Sequence, residues 1–246
     1  MEDQSGYALI EVVVVIIVLS ILAAVAATYL GPTIDYTRFQ ETRIDLDRLA
    51  VAIVGDPSLV SGGVRTDYGY IGDVGAMPPN LAALVTNPGS YSTWNGPYIS
   101  DDFSTDGSSI EYDKDAWGNS YTYSGGNTVS SSGDGNTVTR EFAKSIDDLL
   151  HNTSSFAIVD LNNTPPGSIY RDSVKLLLTF PDGSGSYTTV SRFPDAGGFV
   201  SIDSIPVGIH TLQTVFLTTS DTLTRRVNID PGSDFYCEIK HHGDIW

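Results

Sequence analysis

Cysteine is nearly missing from this sequence: Cys237 is the single one in 246 residues. That excludes an intramolecular disulfide framework and any zinc site built on several thiolates. Basic residues are scarce as well, with 13 Lys and Arg against 30 Asp and Glu and a net charge of −17. A chain this acidic repels phosphate backbones, which excludes nucleic acid as a partner. There is no Gly-Lys-Ser/Thr phosphate loop, no Gly-x-Ser-x-Gly elbow and no His-Glu-x-x-His helix, so no catalytic constellation is in view. Charge itself is absent between Glu11 and Asp35. What is present excludes global disorder: 41% of residues are hydrophobic and 10% aromatic. The length allows one large domain or two small ones.

The uncharged stretch reads VVVVIIVLSILAAVAATYL over residues 12–30. As a helix it covers about 28 Å, close to the hydrocarbon thickness of a bilayer. A secretory signal peptide would need a basic start and a shorter apolar run. Here the start, MEDQSG, is acidic, and the helical pattern continues past Ala23, Ala24, Ala26 and Ala27. Glu11 stands at the front edge of the run. A carboxylate near the membrane interior costs about 2.5–3.5 kcal/mol on insertion scales, so it calls for a partner. The alternative is an interfacial residue favoured by the helix dipole.

Gly6-Tyr7-Ala8-Leu9-Ile10-Glu11 and the apolar run after it resemble the N-terminus of type IV pilins and type II secretion pseudopilins. The resemblance implies a leader over residues 1–6, cut after Gly6 by a prepilin peptidase, with Tyr7 then N-methylated. It also implies that Glu11 pairs with the terminal amine of a neighbouring subunit, and such a pair makes a buried carboxylate tolerable. The leader departs from the family in carrying Glu2 and Asp3 and no base, and the first downstream base is Arg38.

Beyond the run, Gly31-Pro32 is expected to interrupt or kink the helix. Phe39, Leu46, Leu49, Ala50 and Ile53 share one face of a second, amphipathic half, with Arg43–Asp47 and Asp45–Arg48 spaced to pair on the other. The helix is expected over 7–56, with residues 12–30 in a membrane or filament core, and to end at Gly55-Asp56-Pro57. Residues 58–77 read as a glycine-rich loop, and Pro78-Pro79-Asn80 as the start of a short helix over Leu81–Thr86. Trp94-Asn95-Gly96-Pro97-Tyr98 and Lys114-Asp115-Ala116-Trp117-Gly118-Asn119 resemble motifs of the major pseudopilin of type II secretion, and extend the resemblance to about residue 150. Their aromatics read as packing residues on a small sheet.

That family commonly binds calcium in a loop after this sheet. The corresponding residues here are Asp134, Asp147 and Asp148, which the resemblance makes calcium ligands. The other reading is a glycine turn followed by an acidic helix start. A second calcium-type spacing, Asp102-x-Ser104-x-Asp106-Gly107 with Asp113, reads otherwise as a solvated acidic loop.

From Ser154 the pattern becomes short alternating strands, at 156–160, 173–180, 187–191, 199–202, 210–217, 222–229 and 235–239, divided by Pro/Gly turns. Seven such strands predict a β-sandwich. Gly198-Phe199-x-Ser201-Ile202 with Ile205-Pro206-x-Gly208-x-His210-x-Leu212 resembles the carboxypeptidase-regulatory or transthyretin-like sandwich. The expected fold is α+β: a long pilin helix on a small antiparallel sheet, with a head over 57–152 and an accessory sandwich over 153–246.

The reading that follows is a non-enzymatic structural subunit. It would be anchored in a bacterial inner membrane as a precursor and polymerised into an extracellular filament by an assembly platform and ATPase. The alternatives are a pseudopilin of a short periplasmic pseudopilus, and a monomeric membrane-anchored binding module.

Overall fold

The computed structural model describes residues 5–99, 111–241 and 246. Helix α1 spans Ser5–Val54, 50 residues. It passes through Gly31-Pro32 as one helix, as the expected span over 7–56 requires. A proline removes one N–H donor, and the hydrogen-bonded turns on either side carry the helix across. Gly55 ends it, with φ of 80° and its N–H on Val51 O at 2.7 Å. This is the left-handed closing position that glycine adopts without a Cβ penalty.

The head is built on the second half of α1. Strands β1 (Val60–Ser61) and β2 (Val64–Arg65) form a small hairpin, followed by α2 (Gly69–Val74). A 3-10 turn at Leu81–Leu84 is capped by Asn80, whose side chain accepts from the Ala83 amide. Strands β3 (Thr128–Ser131) and β4 (Val138–Glu141) pair antiparallel and lie against α1. The turn α3 (Asp147–Leu150) closes the head. Thus the stretch read as a loop over 58–77 contains the β1–β2 hairpin and α2. Gly69, at φ of 55°, lets α2 start tight against α1: a Cβ there would sit 2.6 Å from Gly55 N.

One apolar cluster fills the head. Leu46, Leu49, Ala52 and Ile53 of α1 meet Tyr70, Ile71 and Val74 of α2, with Leu84, Tyr121, Val129 and Leu149. The helix face expected from the apolar spacing is therefore the buried one. On the opposite face Asp45 and Arg48 pair at 3.2 Å as expected. Asp47 does not pair with Arg43; Arg140 of β4 takes it at 2.7 Å, and Arg43 lies over the Phe39 ring. A partner presented by another strand displaced the helical one, a competition invisible to i, i+4 spacing.

The sandwich follows with β5 (Asn152–Val159), the short α4 (Gly167–Tyr170), β6 (Val174–Pro181), β7 (Tyr187–Arg192), β8 (Phe199–Ile205), β9 (Gly208–Phe216), β10 (Asp221–Ile229) and β11 (Asp234–Lys240). The sheets run β10-β9-β6-β7 and β11-β5-β8. All pairings are antiparallel except β11 on β5. The strict alternation along β6 and β9 sends Val174, Leu176, Leu178, Leu212 and Phe216 inward, against Phe156, Ile158, Val200, Ile202 and Ile239 of the facing sheet. The head cluster also includes Val207, from the β8–β9 turn, whose N–H bonds Leu149 O at 2.8 Å.

Candidate functional site

The apolar half of α1 is the chain's most distinctive surface. Over Leu9–Ala26 the mean hydropathy is 3.1, and none of these residues is buried in the molecule. The helix is 50 residues long, so it reaches about 75 Å. Its second half alone is held by the head, and the first half projects. Ser20, a rare polar residue of this segment, turns its hydroxyl onto Ile16 O at 2.7 Å, so it presents little polarity outward. Glu11 lies on this projecting half and is exposed. Gly6 and Tyr7 lie in its first turn, within α1.

The seat of α1 in the head has two anchors. The first is Asp115. Its carboxylate accepts from the amides of Trp117 and Asn119, from the Asn119 side chain, and from the Ser131 hydroxyl. Burial alone would raise this carboxyl, but these donors outweigh burial and hold it below the ordinary range. The next residue, Ala116, donates its amide to Thr42 Oγ1 at 3.2 Å, tying the loop to a buried position on α1. The Lys-Asp-x-Trp-Gly-Asn motif is therefore a clamp around one carboxylate. The sequence shows the motif; which residue is its hub shows only in three dimensions.

The second anchor is Arg65, which sequence reasoning missed. Its Nη2 donates to Val54 O at 2.6 Å, and its Nε to Asp67 O at 2.7 Å. A guanidinium on the last carbonyls of a helix satisfies open acceptors and complements the negative dipole end. The same guanidinium lies 4.5 Å over the Tyr68 ring. From there the contact chain enters the sandwich: Asn228 donates to Arg65 O at 2.6 Å, and Tyr68 OH to Asp230 at 2.8 Å. Burial, together with that hydrogen bond to a carboxylate, pushes the Tyr68 phenol up to about 12. Helix end, head and outer sheet thus meet within four residues, 65–68.

The aromatic motifs pack as expected, though on helices more than on a sheet. Trp94 and Tyr98 stand edge to face at 5.7 Å, as do Tyr70 and Tyr98, and Trp94 Nε1 donates to Ala83 O. Tyr98 OH donates to Asp73, whose carboxyl is raised by burial. A cavity of about 540 Å³ lies between α1 and the 112–121 segment, lined by Asp45, Arg48, Leu49, Tyr112, Lys114 and Tyr121 among others.

Of the expected calcium residues, Asp134 is exposed in the β3–β4 turn, while Asp147 and Asp148 open α3. Asp147 is engaged by His151 Nδ1 at 2.7 Å. Asp102, Ser104 and Asp106 lie outside the described residues, and Asp113 ends a 3-10 turn at Glu111–Asp113. Among the described residues no group of three or more His, Cys, Asp or Glu side chains is placed to hold a metal ion.

The family described as "Prokaryotic N-terminal methylation motif" matches residues 1–27. That match supports a type IV pilin-like prepilin segment at the start of this chain, and with it a membrane-anchored precursor. No curated protein matches. Among solved structures, a DUF3823 family protein from Parabacteroides merdae ATCC 43184 shares 16% identity over 38% of this chain and 46% of its own, with a TM-score of 0.27. The Bacillus anthracis TIE protein shares 12% over 51% of this chain and 22% of its own, with a TM-score of 0.25. The chain spans less than half the length of either, and likenesses this slight carry no argument.

Proposed function

We propose that this chain is a structural subunit of an extracellular type IV pilus-like filament that polymerises through α1. The carrying observation is the methylation motif, placed on a helix whose apolar half has no cover within the molecule. A large exposed apolar surface demands a membrane or a protein partner, and this segment meets both demands in turn. In the precursor it crosses the inner membrane. After a prepilin peptidase cuts behind Gly6 and Tyr7 is methylated, it packs among copies of itself, driven by an assembly platform and ATPase. Each large apolar side chain that leaves water in that bundle contributes roughly 1–3 kcal/mol. Glu11 meets the amine of a neighbour and sets the axial register. The role is structural rather than catalytic.

The test is electron microscopy of material sheared from producing cells, with mass spectrometry of the N-terminus. Fibres beginning at methylated Tyr7 are the expected result. Glu11→Ala should cut fibre yield at least tenfold while the head stays folded. Fibres at normal yield from that variant would sink the register role, and the absence of fibres from the wild type would sink the filament.

A further inference from the structure

The sandwich has two outer faces of opposite electrical character. On the four-stranded sheet, strand alternation turns Lys175, Leu177 and Thr179 of β6 outward, with Thr211, Gln213 and Val215 of β9. The paired registers add Thr222, Thr224 and Arg226 from β10, and Tyr187, Thr189 and Ser191 from β7. Among these described outward residues there is no carboxylate, in a chain with a net charge of −17. The threonines are linked to one another and to Gln213: Thr179 and Thr189 hydroxyls lie 2.8 Å apart, and Gln213 donates to Thr224. Lys175 reaches over Phe193, and neither Lys175 nor Arg226 has an ion-pair partner among the described residues.

The three-stranded sheet is the reverse. Its outward positions carry Asp203 on β8, and Asp234, Tyr236 and Glu238 on β11, all exposed. Lys240 lies 3.5 Å from Glu238 in an exposed pair of little energetic weight, and Arg225 of the other sheet donates to the Glu238 carbonyl at 3.2 Å.

The spacings agree. Arg226 lies two strands across from Thr179, which is four residues along from Lys175. Glu238 lies two strands across from Phe199, which is four residues along from Asp203. On ideal strand spacings the first diagonal comes to about 16 Å, and the second is of the same order, its last step entering the register break that holds Asp203 and Ser204. Copies of so acidic a chain repel one another wherever carboxylates meet. A surface cleared of them, with two unpaired cations at the separation of two carboxylates on the opposite side, is suited to a second copy of this chain.

We propose that the four-stranded face of one sandwich docks on the three-stranded face of the next, so that outer domains form their own lateral contact around the filament. This rests on the filament reading. The contact is heterologous, joining two different faces, so it propagates rather than closing. Lys175 meets one of Asp203 and Glu238, and Arg226 the other, while the threonine rows fill the flat area between.

The test uses the full chain in producing cells, with Cys237→Ser as the parent. Thr224→Cys and Ser201→Cys are placed together, one on each face, and sheared filaments are oxidised and run without reductant. A ladder of covalent multimers from the double variant, and none from either single variant, is expected. Filaments without a ladder overturn the contact and leave the filament reading standing. A ladder from a single variant overturns the pairing of unlike faces. No filaments from the wild type overturn the filament reading and this contact with it. Charge reversal provides a test independent of Cys237. Lys175→Glu with Arg226→Glu should lower filament yield several-fold, as should Asp203→Lys with Glu238→Lys, and combining the two sets should restore it. Failure of the combination to restore, or unchanged yield from either set, overturns the proposal.

Discussion

His210 shows how much one side chain can carry at the junction of head and sandwich. It is 1% exposed, and its Nε2 donates to Pro206 O at 2.7 Å, which leaves Nδ1 buried as an acceptor without a partner among the described residues. Burial is the main cause that takes its pKa from the ordinary 6.5 down to about 4. The unfolded chain therefore takes up the proton first as pH falls. Stability is full above the ordinary value, declines as pH drops from 6.5 toward 4, and changes no further below that on this residue's account. The total effect is about 3 kcal/mol. Urea unfolding of wild type and His210→Gln in detergent at pH 7 and 4.5 should show the wild type losing more stability on acidification. Equal losses would contradict the assignment. Asp115 is the other residue whose role is concentrated. Asp115→Asn keeps the shape and removes the charged acceptor, and should cost about 1.5–3 kcal/mol by the same measurement, as charged hydrogen bonds do. Neither role is legible in the sequence: His210 reads as a strand residue, and Asp115 as one letter in a motif.

Among the elements, those with regular periods were legible and those made by glycine were not. The seven sandwich strands stand where period-two alternation and Pro/Gly turns place them, within a few residues at each end, because alternate residues turn toward the core, most fully in β6 and β9. The buried face of α1 follows from Leu46, Leu49 and Ile53 for the same reason. Helix α2 was hidden because Gly69, Gly72 and Gly75 lower helix propensity and mimic a loop, and only the fit against α1 recovers it. The parallel pairing of β11 with β5 joins segments far apart in the chain, and no local pattern announces it. The Arg65 cap on α1 was hidden too, since it joins residues 11 apart across a turn. The end of α1 is also where an element-level prediction belongs. A Cβ on Gly55 would lie 2.4 Å from Asp67 O, at a φ of 80°. Gly55→Ala therefore combines left-handed strain with a backbone clash and should destabilise the head by about 2 kcal/mol or more. Thermal unfolding followed by near-UV circular dichroism checks it. An unchanged midpoint would mean that the 65–68 joint gives way freely.

At the scale of the whole molecule, a long apolar helix segment continues into an acidic two-part body. Before assembly such a molecule should stay with the membrane through an alkaline carbonate wash and leave it only with detergent, as a spanning helix does. Release by carbonate would show that α1 lies on the membrane rather than across it. The topology of the outer domain has a different kind of consequence, one of timing. Its first strand, β5, is completed on one side by β8 and on the other by its last strand, β11. The inner side of β11 supplies Ile239 to the core. The head, for its part, borrows Val207 from deep inside the sandwich sequence. Each part therefore closes only on residues made after it: the head waits for Val207, and the open edge of β5 for β11, so a chain still being made holds both parts as unfinished halves.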